Sequence, residues 1–400
     1  MGKADVLAFA DRAEEHLLDL AADLSLLRHR EVSRGQVHFS SEENMYPTPY
    51  LHGQYTRFVV CDPKRREIAK ASVRDRVLHH AIHRILAPLF DRSFIHDSYS
   101  SRKGKGTHAA GKRFRTFAWR LSRNHTKTVW VLQLDVRRFF DSVDHEVLLL
   151  LLRNRLLKIQ VSSFFCHPRE GGDPGSTRQV TGSDGFKLKK YWIPGHPPVP
   201  NGYVRAGVRD DKNGSGAENE ILLRAQGDEK ELLHLLGIIV RSFETVSGKG
   251  IPLGNLTSQL FSNVYLDPLD QFVKRTLRVK HYLRYADDMT ILSRDREYLE
   301  ECRDRIAEFL ARELRLELHP DKMTIGRWHE GIDVLGYVHF PFHAVLRTKT
   351  KRRMMQKLFL KKETCPEDEE RETSFACTRQ SYLGLLKHCR GRALERNLPS

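Results

Sequence analysis

An aspartate at the end of an apolar run is the first residue placed for chemistry. Asp135 follows the β-branched and apolar stretch 128–134, which has the character of a buried strand. Two aromatic residues, Phe139 and Phe140, come four and five positions later. A carboxylate in this position would stand at the edge of a sheet, where a substrate can reach it.

A pair of aspartates forms the second constellation. Asp287 and Asp288 lie between two short apolar runs, 281–286 and 289–293, and Tyr285 stands just before them. Both runs have strand character, which places the pair at the bend of a hairpin. Most Asp-Asp pairs are solvated turn residues, but the apolar strand on each side favours a functional interpretation here.

Three carboxylates at strand ends of one sheet are suited to holding two divalent cations. Two ions about 4 Å apart fit in-line phosphoryl transfer, because one activates the attacking hydroxyl and the other holds the leaving group. Hard oxygen ligands and open water positions favour Mg²⁺. The residues therefore predict metal-assisted transfer of a phosphoryl or nucleotidyl group.

Both helices and strands are needed to position these carboxylates. Apolar periodicity predicts helices and short strands in alternation, which indicates an α+β fold. The predicted helices are 5–29, 73–90, 107–124, 144–158, 229–244, 296–316 and a helix-rich stretch over 349–398. The predicted strands are 128–134, 281–286, 289–293 and short strands within 333–347.

One block differs in kind from the rest of the chain. Residues 159–227 contain 11 of the 26 glycines and 6 of the 16 prolines. Such a composition cannot build a packed core, so we interpret the block as an inserted, exposed and partly disordered segment. Its basic and aromatic residues, such as Lys190 and Trp192, could contact RNA, but a passive insertion is the favoured interpretation.

Composition restricts the class of protein. The 400 residues carry 67 Lys and Arg against 51 Asp and Glu, a net charge of +16, which favours a polyanionic partner such as nucleic acid. No apolar run is long enough to cross a membrane, and no secretory signal is present. The six cysteines are scattered, which argues against zinc ribbons and disulfide frameworks and fits a cytoplasmic protein.

The motifs together resemble those of reverse transcriptases. Tyr285-Ala286-Asp287-Asp288 matches the Tyr-x-Asp-Asp box of that family, and Asp135 with Phe140 resembles its first palm motif. Five further blocks follow the family order: 66–76, 98–110, 248–259, 314–322 and 334–337. Seven ordered motifs make coincidence very improbable. The resemblance implies an α+β right-hand polymerase with fingers, an antiparallel palm sheet and a small helical thumb.

The resemblance also implies a role for individual residues. Asp135, Asp287 and Asp288, with the Val136 carbonyl, would bind two Mg²⁺ ions, and Lys322 could protonate the leaving pyrophosphate. The dNTP would be contacted by Arg66, Arg76, Arg137, Arg138, Phe140, Leu253, Gly254 and Gln259. Phe140 would act as the steric gate that rejects a 2′-hydroxyl. Nucleic acid would be contacted by Lys103, Lys105, Tyr285, Gly336 and Tyr337.

The block around Leu253 distinguishes subfamilies. Leu253-Gly254 and Ser258-Gln259 resemble the reverse transcriptases of diversity-generating retroelements, where many relatives have Gln at the first position. A Leu there cannot hydrogen-bond near the incoming nucleotide, so we hypothesise looser checking of base pairing. The subfamily implies copying of a template RNA into cDNA with errors at adenines (mutagenic retrohoming), a small basic accessory protein oligomer as partner, and a prokaryotic or phage element.

The alternatives are a retron-type or group II intron-like enzyme of ordinary fidelity, and an inactive RNA-binding polymerase scaffold. The complete set of three aspartates argues against the second, whereas the 159–227 insertion favours it. The predicted domains are an N-terminal helix over 1–30, fingers over 31–127, a palm over 128–345 interrupted by the insertion, and a thumb over 346–400.

Overall fold

The computed structural model describes residues 4–29, 50–61, 64–164, 230–363 and 369–398. The chain divides into two compact units. The first unit comprises residues 1–94, 139–268 and 313–315, and the second comprises residues 95–138, 269–312 and 316–400.

The first unit is mainly helical. Its two strands, β1 (Thr56–Val60) and β2 (Arg66–Lys70), form an antiparallel ribbon with Thr56 opposite Lys70. Its helices are α1 (Ala4–Asp11), α2 (Ala13–His29), α3 (Val73–Asp91), α5 (Phe139–Ser142), α6 (His145–Phe164), α7 (230–241) and most of α8 (Leu256–Gln271).

Helix α3 shows why these segments fold as they do. The Ser72 side chain accepts a hydrogen bond from the backbone N–H of Asp75 and so caps the N-terminus. Leu78, Ile82 and Leu86 recur at helical spacing and are buried on one face. Burial of this apolar stripe, more than intrinsic propensity, stabilises the helix.

The second unit is built around a four-stranded antiparallel sheet in the order β4-β5-β3-β6. The strands are β3 (Trp130–Asp135), β4 (Tyr282–Tyr285), β5 (Asp288–Ser293) and β6 (Thr324–Arg327). Phe114 and Phe117 of helix α4 (Thr107–Leu121) share a buried cluster with Val131 and with Leu283 and Leu292. Helix α4 thus covers the face of the sheet on which Val131 and Leu292 lie. A short π-helix (Phe272–Thr276) and helix α9 (Arg296–Leu314) also belong largely to this unit.

A smaller sheet and three helices complete the second unit. Strands β7 (Ile332–Val334), β8 (Tyr337–His339) and β9 (Ala344–Leu346) form an antiparallel meander. Helices α10 (Thr348–Glu363), α11 (Glu369–Leu386) and α12 (Arg392–Arg396) follow it. Met354 and Leu358 from α10 pack with Tyr382 and Leu386 from α11 in one cluster.

The predicted α+β class with an antiparallel sheet is confirmed, and several boundaries are corrected. The predicted helix 5–29 is two helices that meet at Arg12. Helix α4 ends at Leu121, because Arg123 and the two residues after it have positive φ. Helix α9 ends at Leu314, because Arg315 has φ +52°.

The predicted insertion begins inside a helix. Helix α6 continues to Phe164, so the first six residues of the block 159–227 are helical. The rest of the block, including Lys190 and Trp192, lies outside the described residues. None of the helices in the described ranges is long and apolar enough to cross a membrane.

Candidate active site on the palm sheet

The sheet of the second unit brings the three predicted aspartates together. Asp135 ends β3 and lies directly opposite Asp288, the first residue of the neighbouring antiparallel strand β5. Directly opposed residues of an antiparallel pair project to the same face, with Cβ atoms about 5 Å apart. Asp287 precedes Asp288 in the two-residue turn between β4 and β5. Three carboxylates therefore meet at one corner of the sheet.

The turn that carries Asp287 has an unusual backbone. Tyr285 pairs with Asp288, so Ala286 and Asp287 form the whole loop of the hairpin. Ala286 has φ +54°, in the left-handed region that a side chain disfavours. Strained backbone of this kind is found where the surrounding structure holds it in place.

A buried arginine holds this turn. The Arg284 Nη1 donates to the Ala286 carbonyl oxygen at 2.9 Å. The same guanidinium donates to both carboxylate oxygens of Asp270, with Nη2 to Oδ2 at 2.7 Å. Both side chains are fully buried. The Tyr282 hydroxyl donates to Asp270 Oδ1 at 2.7 Å, which raises the pKa of the Tyr282 phenol further above the level set by burial.

Negative charge is concentrated at the aspartate corner. Burial raises the pKa of Asp287 to about 7, and the neighbouring carboxylates of Asp288 and Asp135 contribute to this shift. The Lys322 ammonium forms an ion pair with Asp135 Oδ2. The corner thus has an excess of acid over base and favours added positive charge.

The donor set fits divalent cations. Carboxylate oxygens are hard ligands, and their mutual repulsion is relieved by a cation. The backbone is compatible with the predicted role of the Val136 carbonyl as a metal ligand. The antiparallel bridge between Val136 and Leu318 uses the Asp135 carbonyl and the Arg137 N–H, and it does not use the Val136 carbonyl. As the side chains stand, no three acidic, histidine or cysteine side chains of the described residues enclose a metal position. Lys322 holds one of the carboxylates instead.

The backbone N–H of Arg137 is not available for the predicted triphosphate contact. It donates to the Glu317 carbonyl at 2.8 Å, as part of the bridge that follows β3. That part of the prediction is wrong for this conformation, because the bridge already satisfies the donor. Arg138 has φ +45°, and its N–H makes no bond with the described residues.

The predicted nucleic-acid residues of the second unit differ in exposure. Lys103 is exposed, whereas the Lys105 ammonium donates to the His96 carbonyl at 2.9 Å and lies over the Tyr99 ring. Lys105 therefore holds its own loop in shape. Gly336 lies at the β7–β8 turn with φ +93°. Tyr337 is buried, and its hydroxyl donates to the Leu385 carbonyl, so its side chain is not free for the predicted contact. Tyr285 is half-buried, and burial with the Asp288 carboxylate raises the pKa of its phenol.

Six of the predicted dNTP residues belong to the first unit: Arg66, Arg76, Phe140, Leu253, Gly254 and Gln259. The Phe140 carbonyl accepts a hydrogen bond from the Ile251 N–H at 2.8 Å, which joins the first palm motif to the block at 248–259. The Leu253 carbonyl accepts from the Ala69 N–H at 3.1 Å. Gly254 has φ +112°, and a Cβ there would lie 2.7 Å from a methyl of Ile68. A glycine is required at this close approach.

The predicted dNTP residues Arg66, Gln259 and Arg76 differ in whether their side chains are free. Arg66 is exposed at the start of β2, and Gln259 is exposed on α8. Arg76 Nη2 donates to Asp5 Oδ2 at 3.2 Å, which commits this guanidinium to helix α1. The prediction that Arg76 is ready to hold phosphates is therefore corrected: a phosphate would have to displace Asp5.

Asn255 is a residue that sequence reasoning missed. Its side-chain amide donates to the Ala69 carbonyl at 2.9 Å, and its Oδ1 accepts from the Ala71 N–H at 3.4 Å. It is buried and fixes the block at 248–259 to the end of β2. The sequence signal that could have identified Asn255 is a polar side chain directly after the turn residues Leu253 and Gly254.

Comparison with known proteins agrees with this site. A family model described as "Reverse transcriptase (RNA-dependent DNA polymerase)" matches residues 231–339, which include Asp287, Asp288 and Lys322. Protein YkfC of Escherichia coli (strain K12) is 21% identical over 348 residues, covering 79% of this chain and 71% of that protein.

Solved telomerase structures are also similar. Apo telomerase from Candida tropicalis matches with a TM-score of 0.47 and 10% identity, over 89% of this chain and 57% of that one. Telomerase from Candida albicans, in complex with a fragment of telomeric RNA, matches with a TM-score of 0.40 and 9% identity, over 78% of this chain and 51% of that one. The chain spans little more than half the length of these telomerases.

The structure confirms the predicted α+β class with an antiparallel sheet, whereas the right-hand arrangement and the division into fingers, palm and thumb stay predictions. The matched stretch contains the β4–β5 hairpin and the corner aspartates that it carries. Residues 231–339 thus match the reverse transcriptase family, and this match supports an RNA-directed DNA polymerase.

Proposed function

We propose that this protein copies RNA into DNA at the corner formed by Asp135, Asp287 and Asp288. The observation that carries the proposal is the register of β3 and β5, which sets Asp135 opposite Asp288 with Asp287 at the adjoining turn. Reverse transcriptases generally use divalent metal ions. We assign two Mg²⁺ ions to these three carboxylates and the Val136 carbonyl. Bound there, they supply charge neutralisation and activate the primer 3′-hydroxyl.

Lys322 acts as a proton donor in this proposal. Its ammonium is paired with Asp135, so it is held at the reacting corner. If Asp135 held a metal ion, its pairing with Lys322 would weaken and the Lys322 ammonium would be able to turn toward the departing pyrophosphate. A proton passed from Nζ to that oxygen lowers the charge of the leaving group.

Substrate selection is assigned to the residues that the motif order indicates. Phe140 lies five positions after Asp135, and its bulky ring is proposed to clash with a ribose 2′-hydroxyl. Arg66, Arg76 and the N–H of Arg138 are proposed to bind the triphosphate, with Arg76 exchanging Asp5 for phosphate. Lys103 contacts the template, and the backbone at Gly336 and Tyr337 contacts the primer. The basic face of α10, with Lys351 and Arg352, grips the duplex.

We further propose that the enzyme is of the diversity-generating type. Leu253 supports this, because its backbone is fixed by the hydrogen bond from Ala69 while its side chain can make no hydrogen bond to a nucleotide. A small basic accessory protein oligomer would be the partner, and the template RNA of a prokaryotic or phage element the substrate. The alternative is a retron-type or group II intron-like enzyme of ordinary fidelity.

Primer extension on an RNA template with dNTPs and Mg²⁺, followed by sequencing of the cDNA, tests these proposals. Extension with errors clustered at template adenines supports the diversity-generating type. Extension with rare, evenly spread errors supports the proposed polymerase activity and contradicts the diversity-generating type. In the first case Leu253→Gln should reduce the errors, because an amide can again check the nascent pair. An unchanged error spectrum in the variant contradicts the role given to Leu253.

A further inference from the structure

A cavity of about 840 Å³ lies in the second unit, apart from the aspartate corner. Its walls come from helix α4, the β7–β8 hairpin and the segment that follows α11. Of the residues that line it, the catalytic account gives a ligand only to Tyr337, whose backbone is proposed to contact the primer.

One face of helix α4 supplies most of its chemistry. His108, Lys112, Arg115 and Trp119 line the cavity at spacings of four, three and four residues, which places them on one side of the helix. All four are exposed. Neither Lys112 nor Arg115 has an acidic partner within the described ranges, and no carboxylate is among the cavity's lining residues there.

The positive charges of this face converge on the cavity. Burial, and to a smaller degree the Arg115 guanidinium, lowers the pKa of His125 and His339, and the pKa of His108 is lowered by burial and by His388. The His108 and His388 rings stack with centroids 3.5 Å apart. An anion placed among these groups would relieve their repulsion.

A buried histidine forms part of the cavity wall. His339 lines the cavity and is only 5% exposed, and both of its ring nitrogens are covered by protein. Its ring packs against Gly111 of α4. His339 therefore shapes the wall, and the polar contacts with a ligand fall to the exposed side chains of α4.

Aromatic surfaces stand at the rim. Trp119 is 50% exposed, and its indole N–H is held by the Asn124 side chain at 3.0 Å. Phe342 is 81% exposed and contacts the His125 ring edge to face at 5.0 Å. Cations that track phosphates, interleaved with flat rings, are the features by which proteins bind single-stranded nucleic acid.

We propose that this cavity binds a segment of single-stranded RNA, with a phosphate on Lys112 and Arg115 and a base stacked on Trp119. The identification of the nucleic acid as RNA rests on the proposed function. Such a site would hold template RNA away from the aspartate corner, so it affects binding of long RNA and not the chemical step.

The test compares two double variants that each remove two exposed cations. Lys112→Ala/Arg115→Ala alters the cavity, whereas Arg278→Ala/Lys280→Ala alters exposed residues that do not line it. Affinity for a fluorescent single-stranded RNA is measured over a range of salt concentrations. For the cavity variant we expect about tenfold weaker binding, and a salt slope lower by about 0.7, since one phosphate contact is lost and each contributes about 0.7. For the control variant we expect a smaller change in affinity.

Substitutions at Trp119 separate stacking from charge. Trp119→Ala should weaken RNA binding about tenfold, and Trp119→Phe should restore most of it, because a phenyl ring still stacks. Extension of a short, pre-annealed RNA–DNA duplex should be unchanged in all these variants. RNA binding is measured without DNA synthesis, so the two proposals fail separately. A protein that fails to extend primers overturns the proposed function. The RNA affinity and its salt slope still decide whether the cavity binds RNA.

Two results would overturn the RNA assignment. One is equal affinity and equal salt slope for the cavity and control variants. The other is loss of binding to a labelled oligoglutamate peptide in the cavity variant with RNA affinity unaffected, which would assign the cavity to an acidic protein segment. Circular dichroism of each variant verifies that the exposed substitutions leave the fold intact.

Discussion

Arg284 and Asp270 form a fully buried ion pair directly behind the aspartate corner. Through its remaining nitrogen, Arg284 also holds the carbonyl of Ala286, the residue before Asp287. The position of Asp287 thus depends on a side chain that does not reach the substrate. Arg284 is a positioning residue.

Removing one partner of this pair should be costly. We predict that Arg284→Met lowers the free energy of unfolding by about 3–5 kcal/mol, because the Asp270 carboxylate is left buried without its counter-charge. Arg303→Met, which breaks the exposed pair with Asp304, should change it by less than about 1 kcal/mol. Urea unfolding of the two variants measures the difference. Equal effects would contradict the role of burial.

The backbone at Ala286 gives a second prediction. Ala286→Gly should fold at least as well as the parent, because glycine adopts φ +54° without steric strain. Ala286→Val should lower the unfolding free energy by about 1–2 kcal/mol, since a β-branched residue strongly disfavours this region. Thermal unfolding compares the three proteins. A valine variant as stable as the parent would show that the turn is not strained.

Substitutions at Phe140 and Phe139 should have different effects, the first on sugar selectivity and the second on stability. We predict that Phe140→Ala lowers the preference for dNTP over rNTP in kcat/KM by at least about tenfold, because space opens for the 2′-hydroxyl. Phe139 is 2% exposed, so Phe139→Leu should reduce stability and leave the sugar preference unchanged. Single-nucleotide incorporation assays decide this. An unchanged preference in Phe140→Ala would remove the gate from this position.

A buried histidine pair predicts acid sensitivity in the first unit. The His52 Nδ1 donates to the Gly53 carbonyl, so its Nε2 accepts from the His79 Nε2, and the buried His79 Nδ1 has no partner among the described residues. Burial, with His52 nearby, lowers the pKa of His79 from 6.5 to about 4. Below pH 6.5 the unfolded chain binds a proton that the folded chain excludes, so stability falls as the pH decreases.

This loss should develop between about pH 6.5 and 4 and reach up to about 3 kcal/mol. His79→Gln should flatten the curve over that window, because the amide does not titrate and still donates toward His52. Urea unfolding at pH 7, 5.5 and 4.5 compares the two proteins. Parallel curves would assign the acid sensitivity to other groups.

The sequence predicted the corner but not what holds it. Asp135, Asp287 and Asp288 were identified because aspartates at the ends of apolar strands have few structural reasons to be there. Arg284 lies in the same apolar strand, yet its partner Asp270 is fourteen residues away on a helix. A pairing of that kind depends on tertiary packing, which periodicity does not encode.

The end of helix α9 and the ion pair of Arg76 were not predicted, because no local sequence pattern marks either of them. Helix α9 stops where Arg315 takes a positive φ, and no Gly or Pro marks the position. Motif order suggested that Arg76 is available for phosphates, but the ion pair with Asp5 joins segments 71 residues apart. The cavity on α4 was missed because its residues were interpreted only as a helix in a motif, without the hairpin that covers it.

The most direct test of the central claim is primer extension by the Asp287→Ala/Asp288→Ala double variant. The matched control is Asp304→Ala, which removes an exposed carboxylate of α9 outside the corner. Both are assayed beside the parent on an RNA template with dNTPs and Mg²⁺, after circular dichroism verifies folding. The account predicts extension by the parent and the control and none by the double variant. Extension by the double variant at the rate of the parent would contradict it.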